Sequence, residues 1–397
     1  MSRFPKLTET FILDEILELE RCGVAVEIFP LWREVASVVH HDARPLVARA
    51  RFAPTLSARI MLDNLNCLAR QPRRYLGTLL TLVTANWRSL RFLAGALVVF
   101  PKACSFAIEM RRLGVRHVHA HFASHPAAAA FVIGRLADLP WSFTAHGSDL
   151  HREQAMLCEK TAEAAFVVAI SEFNRRFILD RVGDKLADKV KVIHCGVELE
   201  RFQPASPGSG PLQIVCVGTL HAVKGQHFLL EACAVLRNRG IDFTCHLIGD
   251  GPDLEALERQ AAVLEIKDRV VFHGACERGQ VRALLSRMHV AVAPSVPTPD
   301  GRLEGIPVAL MEAAACGLPL VASRLSGIPE LVRDGETGYL TEPGDVRELT
   351  DAIEQVARTP SQARRLGEAA RRRLEVDFNL SVNVARLQRL MLPEVAA

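Results

Sequence analysis

The sequence predicts an α/β protein made of two successive Rossmann-like units, and three observations carry that prediction. From residue 116 to 194, short runs rich in Val, Ile and Phe alternate with helical periodicity, as strands alternate with crossover helices. Gln203-Pro204-Ala205-Ser206-Pro207-Gly208-Ser209-Gly210-Pro211 then reads as a linker by composition. After it the alternation restarts at Leu212 and runs past residue 320. A chain of 397 residues has room for two domains, each with its own core.

Taken in order, Phe11, Ile12, Glu15, Ile16 and Leu19 mark a first helix, stopped at Cys22-Gly23. Val24–Phe29 reads as a strand, and no strand is expected before the helix. Residues 40–116 are less regular and carry thirteen Lys/Arg against three acids, in a chain whose net charge is only +3. Leu76, Leu80, Val83, Trp87, Leu90, Ala94 and Leu97 follow a three-four spacing there, with Arg73, Arg88 and Arg91 off that face. Two readings stay open: a helical insertion whose stripe packs into its own domain, or a surface that docks on anionic lipid. Strands are then expected at 116–122, 141–146, 166–171 and 190–194. After the linker the pattern predicts strands at 212–217, 243–248, 270–273, 290–293 and 320–322, with helices at 226–239, 253–264 and 277–287. His117, His119 and His121 should share one strand face; no carboxylate or cysteine lies near them in sequence, so no metal site is expected.

Composition narrows the class. At 49% apolar and 23% charged the chain reads as soluble and globular, and its charge gives no nucleic-acid footprint. Ten cysteines without a C-x-x-C pair fit a reducing compartment rather than a disulfide or zinc framework. The start has no apolar signal core, and the longest apolar run, Phe92–Phe100, is far short of the ~20 residues of a spanning helix. A cytoplasmic protein is expected.

The residues that suggest chemistry cluster in Gly301–Pro319. Pro307 suits the first turn of a helix, and Cys316-Gly317 with Pro319 beyond suits its stop. Between them the helix is apolar on every face and should be buried, except that Glu312 sets a carboxylate inside it. Glu304 stands in the preceding loop beside Gly305 and Ile306, about 10 Å from Glu312 along the axis. That spacing suits one acid on a sugar and the other on a ribose, with phosphates at the helix N-terminus between them. A structural ion pair is the other reading of Glu312. Gly218-Thr219-Leu220-His221-Ala222-Val223-Lys224-Gly225 runs from a strand end to a helix start, where Lys224 could neutralise a diphosphate or simply be a solvated turn residue. His146, at a strand end, is either a ligand contact or a satisfied loop histidine. No Asp-x-Asp pair is present to hold a divalent ion.

Glu304 and Glu312, set in Glu-Gly-Ile-Pro-Val-Ala-Leu-Met-Glu-Ala, resemble the donor-site signature of the retaining GT-B glycosyltransferases of family 4 type. Phe4–Leu13, His-Ala-His-Phe-Ala at 119–123 and Phe-Thr-Ala-His-Gly-Ser-Asp at 143–149 resemble the exopolysaccharide group of that family, which contains the colanic acid enzymes. The resemblance implies a GT-B fold, two Rossmann-like domains facing a cleft. The first would span 1–203 with a helical basic insertion at about 40–116, the second 204–375, and a helix at 376–397 would cross back. It implies that Glu304 contacts the transferred sugar and His146 the sugar or its reaction centre, and that Glu312 contacts the ribose. Gly218, Thr219, Gly305, Ile306 and Pro307 would complete the donor site, with Lys224 stabilising the leaving diphosphate; the family often has Arg where Thr219 stands. It further implies a UDP- or GDP-linked sugar donor, no metal or other cofactor, no nucleic acid, and a lipid-linked saccharide acceptor met at the inner face of the cell membrane. A strand normally precedes Phe4–Leu13 in that group, so either the start is placed after it, the favoured reading, or the sheet lacks its first strand. A non-catalytic nucleotide-sugar-binding subunit and a nucleotide-sugar epimerase of the same scaffold are the alternatives.

Overall fold

The computed structural model describes residues 1–6, 9–34, 40–152, 154–206 and 208–393. Leu7 and Thr8 of the Phe4–Leu13 segment, Pro207 of the linker and the end of the 376–397 segment therefore lie outside the described residues. The chain forms two compact units. One comprises Met1–Lys6, Glu15–Ile193 and Val384–Ala397; the other comprises Leu7–Asp14 and His194–Asn383.

In the first unit β1 (Arg3–Phe4) does precede helix α1 (Thr10–Arg21), and it pairs in parallel with β2 (Trp32–Arg33). The strand expected over Val24–Phe29 does not form. Its alternation is real, since Ile28 is buried, but the segment has no strand beside it; the Ile28 carbonyl instead accepts from the Arg51 N–H at 2.8 Å. A strand needs a neighbour, and β1 ends after two residues.

Residues 40–116 form four helices, α2 (Arg44–Arg49), α3 (Ala58–Arg70), α4 (Pro72–Asn86) and α5 (Leu90–Arg112). Ser57 and Ser89 cap the third and fifth by accepting from the N–H groups of Ile60 and Phe92, and Pro72 opens α4 at a position that needs no N–H. The apolar stripe belongs to two helices and its largest residues face outward: Leu80 is 63% exposed, Trp87 64% and Leu90 81%. The inward face of α4 is Thr78, Leu82 and Asn86 instead.

The rest of the unit is a parallel sheet of β3 (Val118–His121), β4 (Trp141–Ala145), β5 (Phe166–Ala169) and β6 (Val190–Val192), in that order. Helices α6 (His125–Ala137), α7 (Ser148–His151), α8 (Leu157–Glu163) and α9 (Glu172–Val182) connect them. β4 is buried along its whole length, as expected of a strand covered on both faces. Helix α5 lies against α6 so closely that a Cβ on Gly95 would sit 2.0 Å from His125 Nε2.

The second unit repeats the scheme with β7 (Leu212–Val217), α10 (Gln226–Asn238), β8 (Phe243–Ile248), α11 (Leu254–Val263), β9 (Val270–Phe272), α12 (Arg278–Leu285) and β10 (Val290–Ala293). It continues through α13 (Val308–Ala315), β11 (Leu320–Ser323), α14 (Ile328–Leu331), β12 (Gly338–Thr341), α15 (Val346–Arg358) and α16 (Pro360–Asp377); α17 (Leu380–Met391) follows and from Val384 belongs to the first unit. The strand order is β12-β11-β10-β7-β8-β9, and every pairing is parallel. The chain starts at β7, winds outward to β9, then returns to β10 on the other side. The order therefore reverses between β7 and β10, and their carboxyl ends open the crevice where ligands gather in such sheets. The edge strand β12 was not expected from the sequence: Gly338 opens it because a Cβ there would meet the Leu320 carbonyl oxygen at 2.4 Å.

Candidate active site

The loops that follow β7 and β10 meet at this crevice. The first runs from Gly218 to Gly225, the second from Pro294 to Pro307. Val296 N–H donates to the Val223 carbonyl at 3.0 Å, and Gly225, at φ +67°, lies so close to Pro294 that a Cβ would fall 1.9 Å from its carbonyl oxygen. Across this seam Lys224 Nζ and Glu304 Oε2 pair at 2.8 Å, both side chains largely buried. Gly218, at φ +154°, lies under the lysine; a Cβ would meet its Cε at 3.3 Å. Gln226 donates to the Thr219 carbonyl at 3.1 Å, so Thr219 is held at the same loop by its backbone. The glycines of Gly249-Asp250-Gly251-Pro252 find their reason here too. Added Cβ atoms would come 2.0 Å from the Gly218 oxygen and 2.3 Å from the Leu220 oxygen. The pair is a cation and an anion poised within one phosphate's width of each other, with backbone that a ligand can approach closely.

Helix α13 begins at Val308, with Pro307 as its N-cap, and ends at Cys316 with Gly317 at φ +69°. Ile306 is buried and pins the turn that carries Gly305. Glu312 is buried as the apolar helix requires, and its charged neighbour is Arg278 Nη2 at 4.0 Å rather than Lys224. That guanidinium is already taken in a bidentate pair with Asp14, at 2.5 and 2.7 Å. Burial pushes the Glu312 carboxyl up to about 7, against the opposing pull of Arg278. A buried carboxyl this close to neutrality accepts a hydrogen-bonding ligand at little further desolvation cost.

His146 lies in the first unit, just past the end of β4. Asp149 accepts from the N–H groups of Ala123, His146 and Gly147, at 2.7, 3.1 and 2.7 Å, and so fixes the loop ends after β3 and β4. His146 Nε2 is 3.2 Å from His121 Nδ1, and the two rings stack 5.4 Å apart. His117 and His119 share the same face, both hydrogen-bonded to Ser142 Oγ at 2.7 Å. The expectation that no carboxylate joins these histidines is corrected by the fold: α1 brings Glu15 Oε1 to 3.1 Å from His121 Nε2. Glu15, His119 and His121 offer three ligand atoms within 4.8 Å of one another. Both nitrogens of His119, however, are engaged by the Ser142 and Thr144 hydroxyls, at 2.7 and 2.9 Å. Burial lowers His119, His121 and His146 to about 3 and raises Glu15 to about 7.

Sequence reasoning missed Glu15, Arg302 and the Asp14–Arg278 pair. Glu15 had a signal, being an acid among the core-facing positions of the first helix. Arg302, two residues before Glu304, reaches His221 Nε2 at 3.1 Å and Asp300 at 2.9 Å; nothing in its position announced that.

Comparison with known proteins follows the two units. A family model described as glycosyl transferases group 1 matches residues 198–373, and one described as Glycosyltransferase Family 4 matches residues 8–201. The chain is 28% identical over 407 residues to a Salmonella typhimurium protein named as the colanic acid biosynthesis glycosyltransferase WcaL, covering 95% of this chain and 94% of that one. The Escherichia coli protein of the same name is 35% identical over 198 residues, a match that spans about half of either chain, 49% of each. Among solved structures, a glycosyltransferase from Rickettsia africae superposes with a TM-score of 0.73 at 17% identity, covering 99% of this chain and 97% of its own. Anabaena HepE in complex with UDP superposes with a TM-score of 0.63 at 21% identity, covering 73% and 81%. These likenesses establish the GT-B fold.

Proposed function

The chain belongs to the GT-B glycosyltransferases of family 4 type, and from that premise we propose that it moves a hexose, with retention, from a UDP- or GDP-linked donor to a lipid-linked saccharide in exopolysaccharide biosynthesis. The observation that carries the reading is the Lys224–Glu304 pair at the carboxyl ends of β7 and β10. A donor diphosphate entering there replaces the carboxylate as the partner of Lys224. Glu304 is thereby released to hydrogen-bond the sugar, where charge develops as the glycosidic bond breaks. Arg302 supplies a second cation to the same loops, where Thr219 supplies none. Gly218 and Gly305 let the phosphates approach the backbone, beside the N-terminal N–H groups of α13 behind Ile306 and Pro307. Glu312 accepts from the ribose, and His146 is the sugar contact that the family resemblance implies.

These roles need no metal, because the lysine and the helix end carry the leaving charge. Attack then comes from the leaving-group face, with a donor phosphate oxygen taking the acceptor proton. The relatives named for colanic acid biosynthesis support the exopolysaccharide reading, and the UDP-bound neighbour supports a nucleotide-sugar donor. The exposed stripe of α4 and α5 supports contact with the membrane that carries the acceptor, and hence work at its inner face. Product analysis with UDP-, GDP- and ADP-sugars and a lipid-linked saccharide tests the reading. A new glycoside of unchanged anomeric configuration is expected. An isomerised sugar nucleotide would make the protein an epimerase, and donor binding without turnover would make it a binding subunit.

A further inference from the structure

We propose that Glu15 and His121 form a hydrogen-bonded relay that decides which ring nitrogen of His146 carries its proton, making Glu15 a positioning residue for the sugar-binding face. The catalytic consequence rests on the reading of His146 as a sugar contact; the relay itself does not.

Three groups stand in line within the first unit. Glu15 Oε1 is 3.1 Å from His121 Nε2, and His121 Nδ1 is 3.2 Å from His146 Nε2. They come from α1, the last residue of β3 and the residue after β4, so three separate elements aim at one chain of contacts. A neutral imidazole has one donor nitrogen and one acceptor, so each link dictates the next. With Glu15 ionised, His121 donates from Nε2 and accepts at Nδ1. His146 then donates from Nε2, and its Nδ1 is left as an acceptor. With Glu15 protonated, its O–H donates to His121 Nε2 and the polarity of every link reverses. His121 Nδ1–H donates to His146 Nε2, and His146 Nδ1 now carries a proton and donates. The two states differ by one proton on the carboxyl and a shift along two hydrogen bonds, and neither imidazole becomes charged.

The surroundings favour this arrangement. Burial holds His121 and His146 far below neutrality, so they stay uncharged, while it raises Glu15 to about 7. His119 on β3 draws the Glu15 value down somewhat, yet is itself held neutral, with both nitrogens occupied by Ser142 and Thr144 on β4. His117 on β3 is turned to Ser142. Asp149 after β4 favours charge on His146, and the amino terminus disfavours it on His121. A carboxylate that fixes a histidine tautomer is a known means of setting donor and acceptor roles at a reacting group.

The test is imidazole nitrogen NMR of the full chain carrying ¹⁵N-histidine, with no substrate present. His146 should change from the Nδ1–H to the Nε2–H tautomer as pH rises through about 7, without passing through imidazolium. Glu15→Gln, close to isosteric, should abolish that change while the melting temperature holds. In transferase assays the same variant should lower kcat about tenfold with little change in donor KM, and Glu15→Asp should restore part of it. A His146 tautomer that ignores pH in the wild type, or that responds identically in Glu15→Gln, overturns the relay. A relay seen by NMR with no glycoside formed overturns the enzymatic reading and leaves the relay standing.

Discussion

Glu304 and Glu312 sit on one loop and helix yet face different partners, so their variants should fail differently. If Glu304 contacts the transferred sugar as proposed, Glu304→Gln removes a contact made as charge develops and should lower kcat by roughly 10²-fold. If Glu312 holds the ribose as proposed, Glu312→Gln removes a contact that changes little along the reaction, and should mainly raise donor KM. Isothermal titration with UDP or GDP, which lack the sugar, should show weaker binding for the Glu312 variant and unchanged binding for the Glu304 variant. Because Arg278 lies 4.0 Å from Glu312, the competing outcome is concrete: a lower melting temperature with nucleotide affinity intact would make Glu312 structural. Its raised carboxyl adds a sign. If the ionised form accepts from the ribose, donor affinity should rise with pH through about 7, and Glu312→Gln should flatten that rise. If Lys224 carries the leaving charge as proposed, turnover should also survive excess EDTA; loss restored by Mg²⁺ or Mn²⁺ would sink the metal-free mechanism.

Among the elements, α4 and α5 show what periodicity can and cannot specify. The three-four spacing correctly marked helix, but not the direction in which the stripe would face. Tyr75, Leu79, Leu82 and Ala85 fill the inward side of α4, leaving Leu76 and Leu80 outside among exposed arginines. Co-sedimentation should therefore recover the protein with anionic vesicles but not neutral ones, less so as salt screens the arginines. Leu76→Ser with Leu80→Ser should cut that recovery several-fold without lowering the melting temperature, since both side chains are already exposed. Equal recovery with neutral vesicles would remove the membrane reading. The seam between the loops after β7 and β10 makes the opposite prediction. Gly225→Ala puts an L-residue at φ +67° and a Cβ against the Pro294 carbonyl. The left-handed backbone alone costs about 1–2 kcal/mol, so a melting temperature lower by several degrees and a weakened Lys224 site are expected together.

For the molecule as a whole, the buried titrating groups set the response to acid. His117, His119, His121 and His146 have folded values of about 3 to 4 against 6.5, so the stability of their neutral forms is present above pH 6.5 and is lost as pH falls toward 4. Glu15, raised to about 7 from 4.5, acts the other way and loses stability as pH rises through that range. As pH falls from 6.5 to 4.5 the unfolded first unit protonates these four histidines, and His151, which burial also lowers, while the folded one keeps the Glu15 proton. Stability of that unit should fall on acidification, on the order of 1 kcal/mol or more per pH unit. Trp32, Trp87 and Trp141 all lie in it, so tryptophan-fluorescence melts report it alone. A melting temperature that rises from pH 6.5 to 4.5 would refute the assignment.

The sequence by itself determined the two Rossmann-like units and the Gly301–Pro319 loop and helix, because period, turn chemistry and an acid inside an apolar helix are local properties. Only the tertiary structure decided which acids meet which bases. Lys224 and Glu304 are 80 residues apart and become a pair because the strand order reverses between β7 and β10. Glu15 reaches His121 across more than a hundred residues because α1 returns over the first sheet. Local sequence patterns fix where an element starts, stops and turns its apolar side; distance along the chain says nothing of distance in space once elements pack.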